Sequence, residues 1–352
     1  MPYQRALVER TLGEARNCVN EQIEALLARN RQTGYGPLYD LLADYPFREG
    51  KGLRPAICLS AARAARGHTD QAVCSAAALE LFHNAFLLHD DVEDASDFRR
   101  GRITMLKHKG APVAVNVGDA TNVMAVQLLL DNTRYIGVHK ALLVFNEVER
   151  MARESVEGQA IELAWIGEQE FDLTDRDYVR MAHKKTCWYT VIAPLRIGVL
   201  CGAPPGANFP VDADLVPLVE IGHLAGIAFQ ISDDLLNLEA APEIYGKEPD
   251  GDLWEGKRTV MLLHFLRVAP ERERRRALAL LRRHRYDKTE AEVAWLREAM
   301  EQRGSLEHGR RLAWQYCERA LAADSQPLAF FEDNEDRRFL REMLLYVVER
   351  MK

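Results

Sequence analysis

Along most of the chain, apolar residues recur three or four positions apart between breaks rich in glycine and proline, and runs that alternate apolar with polar residues are scarce. That period is the one at which an α-helix presents a single face. The breaks fall at Gly34 to Pro37, Tyr45 to Pro55, Arg99 to Pro112, Cys201 to Pro210 and Ala241 to Gly256. The spacing between them predicts helices of roughly 15 to 30 residues, so the expected fold class is all-α. Two expected helices, Ala72 to Ser96 and Val211 to Leu238, are rich in alanine and leucine, the second despite Pro217, Gly222 and Gly226, and both carry acidic clusters. The basic run Glu271 to Arg285 includes acidic and apolar residues and reads as a solvated helix face.

Composition narrows the function classes. The chain has 352 residues, 47% hydrophobic and 28% charged, which excludes extended disorder. A formal net charge of -7 gives no global attraction for nucleic acid. The six cysteines are scattered without CxxC spacing, so they suggest neither a zinc site nor a disulfide framework, and the expected compartment is the reducing cytoplasm. The opening MPYQRALVERTLGEAR has acidic residues where a signal peptide needs an apolar core. No 18 uncharged apolar residues run together, so no membrane span is expected.

The stretch FHNAFLLHDDVED places Asp90, Asp91, Glu93 and Asp94 directly after an apolar run, with Asp90 and Asp94 one turn apart on one face. Like charges at that spacing repel. The cluster is therefore either a solvated acidic turn or a cation site, and the apolar residues before it argue against full exposure. DDVED lacks the alternating ligands and central glycine of an EF-hand. Mg²⁺ keeps waters and bridges carboxylates to substrate phosphates, so an open acidic face implies a phosphorylated ligand. Cations flank it: Arg99 and Arg100 in FRRGRIT, Lys51 and Arg54 in EGKGLRP, and His83 seven residues before Asp90.

In AFQISDDLLNL, Gln230, Asp233 and Asn237 share a face at three- and four-residue spacing, with Asp234 beside them, which makes a second metal-facing surface. The following YGKEPDGDLWEGKRT adds Lys247, Asp252, Lys257 and Arg258 in a loop suited to closing over a charged substrate. Gly251, Gly256 and Lys257 match a phosphate-binding GxxxxGK. Arg258, however, stands where that loop needs Ser or Thr, and no strand precedes it.

Taken together, GKGLRP, HDDVEDASDFRRG, HKKT, FQISDD and GKEPDGDLWEGKRT, in that order from Lys51 to Thr259, resemble the trans-isoprenyl diphosphate synthases, the polyprenyl synthetase family of farnesyl and geranylgeranyl type. The resemblance implies one catalytic domain over residues 1–352, an all-α isoprenoid-synthase-type bundle around a central apolar cavity. Its motif-bearing core would span about 45–262 and its C-terminal helices 263–352. It implies head-to-tail condensation: an allylic diphosphate ionises, the alkene of isopentenyl diphosphate attacks the carbocation, and a proton leaves to the departing pyrophosphate. No side chain is then needed as base.

By motif, Asp90, Asp91 and Asp94 on one side and Asp233 supported by Asp234 on the other would hold Mg²⁺, three ions being expected of the family. Arg99, Lys185, Gln230 and Lys247 would contact the allylic diphosphate, Thr186 would stabilise the cation, and Lys257 would add charge at the metal side. Lys51, Arg54, His83 and Arg100 would seat isopentenyl diphosphate, and Phe229 would pack near its alkene. Asn237 stands where many members carry a third aspartate, and it would accept from metal-bound water.

The growing tail would run back along the first acidic helix, where one turn advances about 5.4 Å, roughly one isoprene unit. Ala85 leaves room there, whereas Phe86 and Phe82 are candidate floors. The expected product is C20, then C15, and the expected assembly is a homodimer. The alternatives are a class I terpene cyclase, which would not need the second cationic set, and a non-catalytic subunit of a heteromeric synthase, which would not need both acidic motifs.

Overall fold

The computed structural model describes residues 3–48, 50–206, 209–210, 212–239, 250–325, 328 and 330–349. Helices dominate, and among the described residues the β-structure is a two-residue antiparallel pair, Phe98–Arg99 with Arg102–Ile103. The first acidic helix spans Thr69–Glu93 and the second Val216–Glu239. Each is shorter at one end than the apolar pattern suggests. The first stops at Glu93 because Ala95 adopts a positive φ of 52° and the Ser96 N–H turns back to the Asp91 carbonyl. The second follows a 3₁₀ turn at Asp212–Leu215, with Pro217 in its first turn, where a missing N–H costs nothing.

Three segments are buried nearly all round and form the middle of the molecule: Leu53–Ala64, the first acidic helix and Ala193–Gly202. Their apolar residues face neighbours on every side, as a helix without a polar face must. Around them pack Arg5–Thr33, Ala111–Asp131, Thr133–Gly167 and Glu335–Glu349, while Ser305–Asp324 packs along the second acidic helix. The long run Asp175–Gly202 is α-helical at both ends but π-helical from His183 to Ile192, the segment that contains HKKT. Thr174 starts this run: its hydroxyl accepts from the Asp177 N–H, and the Asp177 carboxylate accepts from the Thr174 N–H at 2.9 Å.

By length and mean hydropathy, three helices among the described residues are apolar enough to cross a membrane, although no run of 18 uncharged apolar residues occurs: Thr69–Glu93, Ala111–Asp131 and Asp212–Glu239. A search for uninterrupted apolar runs misses them because each tolerates an occasional charge. Protein buries 89% and 61% of the apolar windows in the two acidic helices, but only 44% of that in Ala111–Asp131.

Candidate active site

The first acidic cluster sits in the last turn of its helix, where the helix dipole is negative and adds to the mutual repulsion of the carboxylates. Positive charge from elsewhere in the chain offsets it. Lys257 Nζ lies 2.8 Å from Asp94, 2.7 Å from Glu255 and 3.8 Å from Asp252. Burial pushes the Asp94 carboxyl up, but the ammonium groups of Lys257 and Lys185 outweigh it and hold the group below its ordinary value. Asp90 comes out raised, because burial together with the Asp94 charge exceeds what Lys185 gives back. Glu255 is pushed up to about 7 by burial.

Asp91 departs from the expected metal-facing role. It is fully buried, and its carboxylate accepts from Arg99 Nε at 2.8 Å, Arg99 Nη2 at 2.5 Å and Tyr45 Oη at 2.5 Å. Consecutive helical residues point about 100° apart, so Asp91 anchors the Arg99 hairpin while Asp90 and Asp94 share the face turned toward Lys185 and Lys257. Arg48 secures the same hairpin, donating to the carbonyls of Arg99 (3.1 Å) and Ile103 (2.8 Å) and pairing with Asp44.

On the second acidic helix, Phe229, Gln230 and Asp233 are half-buried, whereas Asp234 and Asn237 are buried behind them. Asp234 accepts from Tyr178 Oη at 2.7 Å and Gln230 Nε2 at 2.6 Å. Burial raises its pKa to about 7 against the pull of those bonds. Its place is therefore to fix Gln230, whose carbonyl oxygen accepts from Thr186 Oγ1 at 2.6 Å. The Asn237 side chain accepts from the Asp252 N–H at 3.0 Å and so ties down the short helix Gly251–Glu255 instead of sharing the face of Gln230 and Asp233. Arg258, in the failed phosphate-loop position, is buried against the carbonyls of Trp165 and Glu170. Lys247 lies outside the described residues.

The π segment brings the two acidic ends together. Lys185 is ion-paired with buried Glu162, and the charges of Glu162 and Asp90 raise its pKa against burial. Glu162 in turn acts on Asp234, so one carboxylate touches the electrostatics of both sides. π-helical turns are rare and concentrate at functional sites. Here the wide turn is met by Gly158 of the Thr133–Gly167 helix, where a Cβ would lie 2.2 Å from the Lys185 nitrogen.

The second cationic set also assembles, around a residue not expected from sequence. The Arg54 guanidinium lies 4.4 Å over the Tyr189 ring and donates to Thr190 Oγ1 at 2.9 Å. His83 stacks on the same ring at 5.8 Å, Arg100 reaches His83 Nε2 at 3.5 Å, and Lys51 is exposed on the turn just before Arg54. Phe86 meets Tyr189 edge-on at 5.6 Å, while Phe82 and Ala85 are buried. Tyr45, Tyr178 and Glu162 had no signal in the sequence, because each finds its partner only through tertiary packing. Glu255 and Tyr189 lay within or beside the motif segments.

The polyprenyl synthetase family profile matches residues 37–300. The chain belongs to the polyprenyl synthetase family. A short chain isoprenyl diphosphate synthase of Methanothermobacter thermautotrophicus is 31% identical over 86% of both chains. The octaprenyl diphosphate synthase of Escherichia coli is 34% identical over 78% of this chain and 79% of its own. The fold superposes with a TM-score of 0.84 on a geranylgeranyl pyrophosphate synthase of Corynebacterium glutamicum complexed with isoprenyl diphosphate and magnesium, 25% identical over 97% of this chain and 99% of that one. This family has the all-α isoprenoid synthase fold, and its members are divalent-metal-using prenyltransferases.

Proposed function

We infer that this chain condenses isopentenyl diphosphate head to tail with an allylic diphosphate, giving a linear prenyl diphosphate. One observation carries the reading: the carboxylate face of Asp90 and Asp94 lies beside Lys185, while a second, separate cationic set of Arg54, His83 and Arg100 gathers around Tyr189. Two cationic sets suit two diphosphates. A cyclase needs one, and a silent subunit needs neither.

Asp90 and Asp94 on one helix and Asp233 on the other offer carboxylate oxygens, the donors a hard divalent cation takes. We take that cation to be Mg²⁺, with three ions, and when bound it supplies charge stabilisation for the departing pyrophosphate. Asp91 and Asp234 hold Arg99 and Gln230 in position from behind. Lys185, Lys257 and Arg99 keep fixed positive charge beside the allylic diphosphate, so the leaving group meets preorganised charge as its C–O bond breaks. The Thr186 hydroxyl donates a hydrogen bond to the Gln230 carbonyl oxygen and so leaves its oxygen lone pairs for the developing allylic cation. Lys51, Arg54, His83 and Arg100 orient isopentenyl diphosphate, with Phe229 near its alkene, and the proton released after carbon–carbon bond formation goes to pyrophosphate.

The reading extends to a C20 product, with C15 next, to action in the cytoplasm, and to a homodimer of this chain. The dimer is supported by an apolar stripe on Ala111–Asp131 and Thr133–Gly167. The test is product analysis: purified chain, Mg²⁺, isopentenyl diphosphate and separately dimethylallyl, geranyl or farnesyl diphosphate, followed by chromatography of the dephosphorylated alcohols. Linear alcohols lengthened by five-carbon steps are expected. Hydrocarbons formed from the allylic substrate alone would make the chain a cyclase, and no product would make it a partner subunit.

A further inference from the structure

Where the π segment meets the second acidic helix, a cluster of ligand-type side chains takes no part in the condensation. His183, Cys187 and His223 each offer one donor atom, and the three atoms lie within 4.8 Å of one another. The two Nδ1 atoms are 3.0 Å apart, with the rings at 73°. Cys187 is fully buried, its thiol donating to the His223 carbonyl at 3.5 Å. Gly226 makes this approach possible, since a Cβ there would lie 2.6 Å from Cys187 Sγ. Trp188 packs edge-on against His183 and Tyr316 against His223, which walls the cluster with aromatic rings.

Two imidazoles and a thiol are a borderline-soft donor set, unlike the all-oxygen carboxylates of the substrate site. Around a tetrahedral zinc ion, bonds of about 2.0–2.1 Å to nitrogen and 2.3 Å to sulfur put the donors roughly 3.4–3.6 Å apart, a spacing that small side-chain rotations here would reach. Burial holds both histidines neutral, the ligand form, His223 being lowered to about 4. Arg150 and Lys184 act in the same direction on His183 and Arg319 on His223, against Glu154 alone.

We propose that His183, Cys187 and His223 form a zinc-class metal site with three protein ligands and a fourth position for water. On binding, the Cys187 S–H bond breaks, the proton goes to solvent, and the sulfur keeps its electron pair to form the metal–sulfur bond, with no change of oxidation state. The ion would fasten the π segment, which carries Lys185 and Thr186 between two of the ligands, to the helix that carries Gln230 and Asp233. The sequence pattern concealed this site, because the third ligand stands 36 residues beyond Cys187 and no CxxC pair marks it.

The experiment uses the full chain, stripped of metal and then saturated with Mg²⁺ to occupy the carboxylates, and titrates it with Co²⁺. The expected result is one Co²⁺ per chain with a thiolate-to-cobalt charge-transfer band, intense tetrahedral visible bands, release of one proton, and displacement by Zn²⁺. Cys187→Ser should abolish the charge-transfer band. His223→Gln, which alters a half-buried side chain and so tests the site even if the cysteine variant fails to fold, should weaken binding by more than the roughly 10–100-fold that loss of an outer-shell partner costs. Only weak octahedral bands, or a charge-transfer band and affinity unchanged in either folded variant, would overturn the site.

Discussion

Adjacent aspartates in one motif do different physical work, and substitution separates them. Asp90 faces the side of Lys185 and Lys257, and burial and Asp94 already disfavour its charge. Asp90→Ala, and likewise Asp233→Ala, should lower kcat by several orders of magnitude by removing a proposed metal ligand, and Asp90→Ala should leave stability unchanged or raised. Asp91→Ala instead leaves the Arg99 guanidinium buried without its partner, and breaking such a pair costs about 3–5 kcal/mol. Urea midpoints and kcat measured side by side check both. A stability loss in Asp90→Ala with a stable Asp91→Ala would reverse the assignment. At Phe86, half-buried against Tyr189 one turn before Asp90, truncation to alanine should lengthen the product. An unchanged ladder of alcohols would remove this ring as the floor of the tail path.

Among the elements, the π segment is the least expected and the most consequential. A methyl group at Gly158 would drive its helix off the Lys185 backbone. Gly158→Ala should therefore cost about 1–3 kcal/mol or more and lower kcat with it, checked by denaturation and steady-state rates. The contact between the π segment and the second acidic helix also carries a pH signature. The folded-state pKa of His223, about 4, lies below the unfolded value near 6.5. The unfolded chain therefore takes up this proton first, and the stabilisation, fully present above about pH 6.5, is lost as pH falls toward 4. Asp234 and Glu255, raised to about 7, act oppositely over the same window, so the net slope mixes the two. The difference between wild type and His223→Gln, both in chelator, isolates the histidine: the wild type should lose more stability between pH 6.5 and 4, and parallel curves would count against it.

What the sequence made legible follows from what helical periodicity encodes. It put Asp90 with Asp94 on one face and gave the order of the cationic motifs, because those relations are local. The burial of Asp91 was implicit in the 100° step between neighbours but was masked by reading the motif as one acidic unit. The partnership of Asp234 with Tyr178, and of Lys185 with Glu162, joins residues 56 and 23 positions apart. No periodicity reports such contacts. Nor does side-chain pattern distinguish a π turn from an α turn when the flanking residues are equally apolar.

For the whole molecule, the outstanding feature is apolar surface left in water. Of the fourteen exposed large hydrophobic residues among those described, eight lie on just two helices: Val115, Val123 and Leu130 on Ala111–Asp131, and Tyr135, Val138, Leu142, Phe145 and Val156 on Thr133–Gly167. Val138, Leu142 and Phe145, which follow the break at Gly137, keep the three- and four-residue spacing of one helical face. Ala111–Asp131 is about 30 Å long and Thr133–Gly167, which breaks at Gly137, runs about 45 Å beyond the break at 1.5 Å per residue, enough to bury the roughly 1,200–2,000 Å² of a stable interface. In the proposed dimer a second copy of this chain, presenting the same stripe about a two-fold axis, would cover it without exposing new apolar surface. Light scattering behind size exclusion should therefore give twice 40.0 kDa for the wild type. Val123→Glu combined with Leu142→Glu should give a monomer of unchanged helicity, because each places an unpaired carboxylate at the centre of the seam. A wild type that runs as a monomer and binds vesicles, with that binding lost in the double variant, would mean that the stripe, including the Ala111–Asp131 helix whose apolar window is only 44% buried, meets a membrane instead.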